Sequence, residues 1–253
     1  MEKRKRNSET AGAAAQGGTP AGSRKHAAEP QGRRMERGAV APGSAWALVT
    51  GAGSGIGRCY ALRLAALGYR LVIVGNNAAP LEAVAGEIRR AAGANASASF
   101  PEVRVMPMDL ARVGAAQELH DRTAAEGIEI DVVINNAGIF SFCDILTTPA
   151  ERIERIILLH DLTVSQLCRL YAADMVRRGV RGHILNMSSY SLWMPFPGLA
   201  LYSASKAYMR SFSVAFAKEV RDRGIRVTAV CPAGVATDLY GLTPRWQRIG
   251  KRL

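Results

Sequence analysis

Six short apolar segments alternate with longer segments of helical periodicity from Ala45 onward, and this alternation constrains the fold more than any other feature of the sequence. The predicted strands are 45–50, 70–75, 102–106, 131–134, 182–187 and 225–230. The predicted helices are 55–67, 81–92, 111–126, 150–177 and 200–223. Strands that alternate with helices form a parallel sheet covered on both faces, with right-handed crossovers. The pattern therefore predicts one α/β domain, a doubly wound parallel sheet of the Rossmann type, over residues 44–253.

The first 43 residues differ in composition from the rest of the chain, and we expect them to form a disordered basic leader outside the domain. Residues 1–34 hold eight Lys or Arg against three Glu, so they carry +5 of the formal charge of +12. They contain almost no large apolar side chain, and such a segment cannot bury enough surface to offset the entropy lost on ordering. The segment lacks the apolar core of a signal peptide, its glutamates are atypical of a transit peptide, and Met35 is an alternative start.

Charge and cysteine usage limit the partners and the compartment that we expect. The basic leader contains no aromatic residue that would stack on bases, so we expect no nucleic-acid partner, although a basic nucleic-acid tail is the alternative. Apolar stretches are too short for a membrane span. Four cysteines lie far apart, without a CxxC pair or a histidine cluster nearby: Cys59, Cys143, Cys168 and Cys231. This spacing predicts neither disulfides nor a metal site. It favours a reducing compartment, so we expect the protein to be cytoplasmic.

A glycine-rich turn joins the first predicted strand to the first predicted helix. Residues 50–57 read TGAGSGIG, a TGxxxGxG spacing, whereas the literal GxGxxG fingerprint fails because Ile56 stands where its third glycine would be. Glycines allow a tight turn, and the N–H groups at a helix N-terminus bind phosphate. After the first strand of a parallel sheet, such a turn predicts a nucleotide site. The predicted contacts are Gly51, Ser54, Gly55, Ile56 and Gly57.

Two further motifs follow along the chain. Residues 135–138 read NNAG after the fourth strand, and residues 202–206 read YSASK at the start of a helix, with Ser189 at the end of the fifth strand. With the glycine turn, these motifs stand in the order found in the short-chain dehydrogenase/reductase family, which the chain resembles from about residue 45 to residue 237. The resemblance implies an NAD(P)(H)-dependent oxidoreductase that interconverts a carbonyl and a secondary alcohol. It also implies cofactor contacts from Asn136, Ala137 and Gly138.

The resemblance assigns the catalytic roles to Ser189, Tyr202 and Lys206. Residues i and i+4 share a helix face, so the Lys206 ammonium would lie near the Tyr202 phenol and lower its pKa toward neutrality. Such a tyrosine can donate a proton to a carbonyl oxygen or remove one from an alcohol. Ser189 would hydrogen-bond the substrate oxygen, and Lys206 would also hold the nicotinamide ribose together with Tyr202. Ser188 competes for this place, but the thirteen-residue spacing to Tyr202 matches the family pattern at Ser189.

The chain departs from the family pattern on the helix before the fifth strand, where relatives place an asparagine that supports a proton relay to the lysine. No asparagine lies between Gly138 and Asn186. Counting back from Met175, the position falls on His160, with Asp161 next to it. His160 is therefore a candidate catalytic residue that would hydrogen-bond a water and titrate near neutrality. A histidine packed for structural reasons is the alternative.

The end of the second strand bears on the choice of cofactor. An acidic residue there would bind the ribose of NAD, whereas an arginine would accept the 2′-phosphate of NADP. The chain has Asn76 and Asn77, and Arg58 past the glycine turn either approaches that phosphate or points to solvent. The missing acid favours NADP(H), with NAD(H) as the alternative. Asp109 and Leu110 after the third strand resemble the family's adenine contact, although Asp109 could equally cap the helix that follows.

The segment after the sixth strand carries the last motif. Residues 231–237 read CPAGVAT and resemble the family's PGxVxT segment around the nicotinamide amide, which implies contacts from Pro232, Val235 and Thr237. Only 23 residues, 231–253, follow that strand, whereas relatives continue through a substrate-covering helix and a seventh strand. We therefore expect an abbreviated C-terminal part and weakened catalysis.

Apolar side chains near the expected substrate position predict a small apolar carbonyl or alcohol as substrate, with packing against neighbouring helices as the alternative reason for them. They are Phe140, Phe142, Tyr240 and residues 193–197. The two long helices, 150–177 and 200–223, would pair two subunits as they do in the family, so a homodimer is expected. A nucleotide-binding or scaffold protein of the same fold with little or no catalysis is the alternative function, because His160 and the short C-terminus depart from the pattern.

Overall fold

The computed structural model describes residues 43–93 and 102–235, which form a parallel sheet in the order β3-β2-β1-β4-β5-β6. The strands are β1 (Trp46–Thr50), β2 (Arg70–Gly75), β3 (Val103–Pro107), β4 (Ile130–Asn135), β5 (His183–Met187) and β6 (Arg226–Val230). The helices are α1 (Gly55–Ala66), α2 (Ala78–Gly93), α3 (Ala115–Ala125), α4 (Ala150–Ile157), α5 (Val164–Arg178) and α6 (Ala200–Val220). A π-helical segment, Leu158–Thr163, joins α4 to α5. The predicted doubly wound fold is confirmed.

All six predicted strands are present, and their ends differ from the prediction by at most one residue. The central strands β1 and β4 are buried along their whole length. Leu48 belongs to one apolar core together with Val133, whereas its neighbours Ala47 and Val49 belong to the core on the opposite face. Because successive side chains of a strand point to opposite faces, an uninterrupted apolar run serves both cores.

The helix predicted at 111–126 begins four residues late. The Asp109 carboxylate accepts a hydrogen bond from the Ala111 N–H at 2.9 Å and forms a turn instead of a helix start. Gly114 then adopts φ +79°, a left-handed conformation, directly before the first residue of α3. The long helix predicted at 150–177 is also interrupted, because its middle turn is π-helical.

The pairing of β1 with β4 has one irregularity, where the register skips Asp131. The Asp131 carboxylate accepts the Trp46 N–H at 3.1 Å and pairs with Arg178 at the end of α5, at 2.8 Å. The Asp131 and Arg178 side chains are 6% and 11% exposed. This buried pair ties the amino ends of the two central strands to α5.

The chain leaves β1 for β2 and β3 and then returns to β4, which lies on the other side of β1. The loops that follow β1 and β4 therefore diverge at the carboxyl edge of the sheet, and doubly wound sheets bind their ligands in this crevice. The glycine turn and the NNAG segment are the two loops concerned.

Several sequence predictions lie outside the described residues. They concern the leader up to residue 42, the cofactor contact Thr237, the apolar residue Tyr240 and the abbreviated C-terminal end. In the part of the chain that the structure describes, no helix is long and apolar enough to cross a membrane.

Candidate functional site

A cavity of about 380 Å³ lies at the carboxyl edge of the sheet. It is lined by residues from every predicted motif: Gly51, Ser54, Gly55, Ile56, Asn76, Asp109, Leu110, Asn136, Ala137, Gly138, Ser189, Tyr202, Lys206, Pro232 and Val235. Two predicted residues in the described part of the chain do not line it, namely Gly57 and His160. The fold therefore brings nearly all candidate positions together around one space.

The glycine turn lies against the cavity with its backbone. Gly51 has φ +65°, which L side chains rarely adopt. A Cβ on Gly57 would lie 2.2 Å from the carbonyl oxygen of Gly51 and 2.4 Å from Nδ2 of Asn136. Gly57 was predicted to contact the cofactor, and the structure instead places it behind the turn, where it lets α1 pack closely against the turn.

Asn136 holds the turn in place with its side chain. Its Nδ2 donates to the carbonyl oxygens of Thr50 and Gly51 at 3.1 and 3.2 Å. In return, the Thr50 hydroxyl oxygen accepts the N–H groups of Asn136 and Ala137, both at 3.0 Å. These hydrogen bonds connect the glycine turn to the NNAG segment, and the sequence motifs alone do not reveal this connection.

Tyr202 and Lys206 occupy the first turns of α6 and are both buried. The Nζ of Lys206 donates to the carbonyl oxygen of Met187 at 3.0 Å and lies 5.6 Å from the centre of the Tyr202 ring. Burial lowers the pKa of Lys206 to about 8, while the Asp161 carboxylate raises it. The edge of Phe140 packs against the Tyr202 ring, with 5.1 Å between the ring centres.

The two serines after β5 have different partners. Ser188 donates its hydroxyl hydrogen to the carbonyl oxygen of Lys206 at 2.7 Å, so this group is committed to the start of α6. Ser189 accepts the Ser191 N–H at 3.2 Å, which caps the short 3₁₀ turn Tyr190–Trp193. Its hydroxyl hydrogen has no acceptor among the described residues, and Ser189 lines the cavity. This geometry favours Ser189 over Ser188 as a donor to a bound ligand.

His160 lies in the π-helical segment and is completely buried. Its Nε2 accepts the Ile139 N–H at 2.9 Å, and its Nδ1 lies 2.9 Å from the Ser205 hydroxyl oxygen. Burial first, and the charge of Lys206 second, hold the pKa of His160 well below its usual value. The expectation that His160 titrates near neutrality and binds a water is therefore wrong, because both nitrogens of this buried ring already have hydrogen-bond partners.

The Asp161 carboxylate interacts electrostatically with the Lys206 ammonium. Its Oδ1 is buried and has no hydrogen-bond partner among the described residues. Burial raises the pKa of Asp161 to about 6, while the charge of Lys206 lowers it. The sequence analysis named Asp161 only as the neighbour of His160. No local sequence pattern indicates that its carboxylate interacts with Lys206 of α6.

The opposite end of the cavity is lined by Asn76 and Asn77. Arg58 does not line this end of the cavity; its side chain is 40% exposed, and its guanidinium pairs with Glu87 of α2 at 2.6 Å. Glu87 follows Arg58 by 29 residues, so only the packing of α1 against α2 reveals this pair.

Asp109 lines the same end and pairs with Arg155 of α4 at 3.0 Å. Burial acts to raise the pKa of Asp109, but the Ala111 N–H and the Arg155 guanidinium lower it below its ordinary value. Arg155 also lines the cavity and was not predicted, since it lies 46 residues from its partner. Arg155 leaves this end without an unpaired carboxylate among the described residues.

The apolar residues expected at the substrate position lie mostly on the surface. Phe142, Trp193, Met194 and Phe196 are each about half exposed or more, and none of them lines the cavity. Phe142 packs near Phe196, with 6.1 Å between ring centres. Phe140 packs against Tyr202 but does not line the cavity either, so the expected apolar side chains do not form its lining among the described residues.

The chain matches the family described as short chain dehydrogenase over residues 45–248. It is 37% identical to a very-long-chain 3-oxoacyl-CoA reductase of Anas platyrhynchos over 80% of this chain and 64% of the relative. It is 35% identical to the probable oxidoreductase EphD of Mycobacterium tuberculosis, over 77% of this chain. The chain spans 64% and 32% of the lengths of these curated relatives.

Among solved structures, the chain resembles a short-chain dehydrogenase from Sphingobium yanoikuyae in complex with NADPH. The TM-score is 0.71 at 32% sequence identity, and the match covers 78% of this chain and 73% of that chain.

Proposed function

Because this chain belongs to the short-chain dehydrogenase family, we propose that it is an NAD(P)(H)-dependent oxidoreductase that interconverts a carbonyl and a secondary alcohol. One observation carries the proposal. Ser189, Tyr202 and Lys206 line the same cavity as the glycine turn, so a proton donor lies in the crevice that is suited to a dinucleotide.

The residues around the crevice fit a dinucleotide. α1 begins beside the cavity without a side-chain hydrogen bond from Ser54, so its first N–H groups remain available for phosphate oxygens. The glycine turn lets such a group approach the backbone closely. When bound, the nicotinamide supplies or accepts the hydride, and the protein supplies orientation and proton transfer.

In the reducing direction, Tyr202 would donate its phenolic proton to the carbonyl oxygen of the substrate. Ser189 donates a hydrogen bond to the same oxygen and stabilises the charge that develops on it. The Lys206 ammonium, oriented by the Met187 carbonyl, stabilises the phenolate left on Tyr202. In the oxidising direction, the phenolate removes the proton of the alcohol.

We favour NADP(H) over NAD(H) as the cofactor. The end of β2 presents the amides of Asn76 and Asn77 to the cavity, and Arg155 neutralises Asp109. A 2′-phosphate would therefore meet no unpaired carboxylate of the described residues there. The similar solved structure is a complex with NADPH. Titration of the protein fluorescence with NADPH and with NADH tests this preference, and tighter binding of NADH contradicts it.

We propose an apolar ketone or a 3-oxoacyl thioester as the substrate class. The Phe140 ring beside Tyr202 supports it, as does the name of the 37% identical relative. A panel of carbonyl compounds of increasing apolar length tests this, since the specificity constant should rise with length.

Tyr202→Phe is the experiment that tests the function. The variant should lose about 10²–10⁴-fold in turnover, because the proton donor is removed, and should still bind NADPH through the other residues that line the cavity. Tyr208→Phe on the same helix is the matched control, since its hydroxyl contacts Ser165 away from the cavity. Equal activity in Tyr202→Phe refutes the assignment. NADPH binding without turnover in the unmodified protein supports the alternative, a nucleotide-binding or scaffold protein.

A homodimer paired through its long helices is also proposed. Exposed apolar side chains on these helices support it, namely Ile157, Tyr208 and Val214, which are 43–45% exposed. Light scattering of the purified protein tests the prediction, and a monomer contradicts it. The cytoplasmic location stays a prediction from the cysteine usage, and all four cysteines are free in the structure.

A further inference from the structure

The π-helical segment Leu158–Thr163 brings neighbouring residues of one helix to the rim of the catalytic cavity. Leu159 lines the cavity, and His160 beside it is completely buried. Thr163 donates its hydroxyl hydrogen to the carbonyl oxygen of Leu110 at 2.9 Å, which fixes the segment against the loop after β3. A single π-helical turn within an α-helix is a frequent mark of a functional position.

The hydrogen bonds of His160 determine which of its nitrogens carries the proton. The Ile139 N–H donates to Nε2, so Nε2 is an acceptor. The Ser205 hydroxyl hydrogen is already donated to the carbonyl oxygen of Tyr202 at 2.8 Å. Ser205 therefore accepts at its oxygen, and Nδ1 of His160 is the donor. The imidazole is neutral and carries its hydrogen on Nδ1.

These contacts form one chain of hydrogen bonds from the loop after β4 to the catalytic helix. It runs from the Ile139 N–H through the imidazole and the Ser205 hydroxyl to the Tyr202 carbonyl oxygen. Resting on the oxidoreductase function proposed above, we propose that His160 is a positioning residue. It holds the first turn of α6, and with it the phenol of Tyr202, at a constant distance from the loop that borders the cavity.

The surroundings keep the imidazole neutral. From α6 it faces Lys206 and the Tyr202 ring, whose centre is 6.1 Å from its own, and Asp161 is adjacent in its own segment. The loop after β4 presents only backbone, since a Cβ on Gly138 would lie 3.2 Å from Nε2 and 3.6 Å from the Nζ of Lys206. A second imidazole proton would have to bind Nε2, where it would face the Ile139 N–H hydrogen and lie near the Lys206 ammonium, so protonation is unfavourable. His160 therefore positions Tyr202 through a hydrogen-bond chain that does not change with pH.

A pair of serine variants on α6 tests the chain. Ser205→Ala removes the link between His160 and Tyr202, whereas Ser203→Ala removes a buried hydroxyl that has no partner among the described residues. Ser205→Ala should lower kcat about tenfold, since one buried hydrogen bond that orients the proton donor is lost. NADPH affinity should change by less than about twofold, because the substitution alters none of the residues that are proposed to contact the cofactor. Ser203→Ala should match the unmodified protein.

Variants at His160 separate its two bonds. An asparagine amide reaches the place of Nδ1 and a glutamine amide that of Nε2, so His160→Asn keeps the Ser205 bond and His160→Gln keeps the Ile139 bond. His160→Asn should retain more of kcat than His160→Gln, and His160→Leu should lose most. Equal kcat in Ser205→Ala and Ser203→Ala overturns the proposal, as does full activity of His160→Leu.

A nitrogen NMR spectrum of the imidazoles supplies a readout that needs no turnover. The protein has four histidines, and the His160 signals are identified by their loss in His160→Gln. They should show a hydrogen on Nδ1 and no titration from pH 8 to pH 5, whereas titration near the ordinary histidine pKa overturns the proposal. If this spectrum is as expected and the unmodified protein turns over no carbonyl, the oxidoreductase function fails while the hydrogen-bond chain stands.

Discussion

Carbonyl reduction by this protein should weaken above pH 8, because Lys206 loses its ammonium charge there. Burial lowers the pKa of Lys206 from its ordinary value of 10.5 to about 8. A group with that pKa is about nine-tenths charged at pH 7 and about one-tenth charged at pH 9, so the rate should fall about tenfold between them. The kcat/KM for NADPH is the quantity to measure, since it reports ionisations of the free enzyme. A profile that stays flat to pH 10 refutes the requirement for a charged Lys206.

A variant next to the site tests the electrostatic cause. Above pH 6 the Asp161 carboxylate is charged and raises the pKa of Lys206. Asp161→Asn removes that charge, so the alkaline limb should move to lower pH. Asp174→Asn is the matched control, because the Asp174 carboxylate on α5 pairs with His120 and Arg177 and does not shift the pKa of Lys206. An unchanged limb in Asp161→Asn refutes the coupling.

Two further predictions concern the stability of the fold. Asp131→Asn should lower the free energy of unfolding in urea by about 2–4 kcal/mol, since it leaves the nearly buried Arg178 with only the exposed Glu129 carboxylate at 3.7 Å; a change under about 0.5 kcal/mol would mean that the pair is screened like a surface pair. Gly57→Ala should lower it by about 1–3 kcal/mol and abolish NADPH binding, because the new Cβ meets the Gly51 carbonyl oxygen at 2.2 Å. Gly86→Ala in α2 is its control and should raise stability by up to about 1 kcal/mol, since the nearest atom is the end of the flexible Arg90 side chain. Loss of stability in both glycine variants contradicts the role of close packing at Gly57.

The order of elements was readable from the sequence because it depends on local patterns. Apolar runs of four to six residues predicted all six strands to within one residue, since buried parallel strands need side chains of one kind on both faces. The motifs around Gly51, Asn136 and Tyr202 were predicted to meet, and they line one cavity because the carboxyl ends of parallel strands share an edge.

The partners of individual polar groups were decided only by the tertiary structure. Arg58 binds Glu87 and Asp109 binds Arg155, over 29 and 46 residues of sequence, so no local pattern contains these pairs. The same holds for Ser205, to which the sequence analysis assigned no role and which accepts a hydrogen bond from His160.

His160 shows most clearly where sequence and structure divide. The sequence determined that a histidine stands where relatives have an asparagine, and it left a titrating role and a packed one open. The π-helical segment packs against the loop after β4 and against α6. This packing buries the His160 ring and gives both of its nitrogens hydrogen-bond partners, Ile139 and Ser205. The charge of a histidine depends on solvent and on hydrogen-bond partners, and both of these are properties of the folded chain.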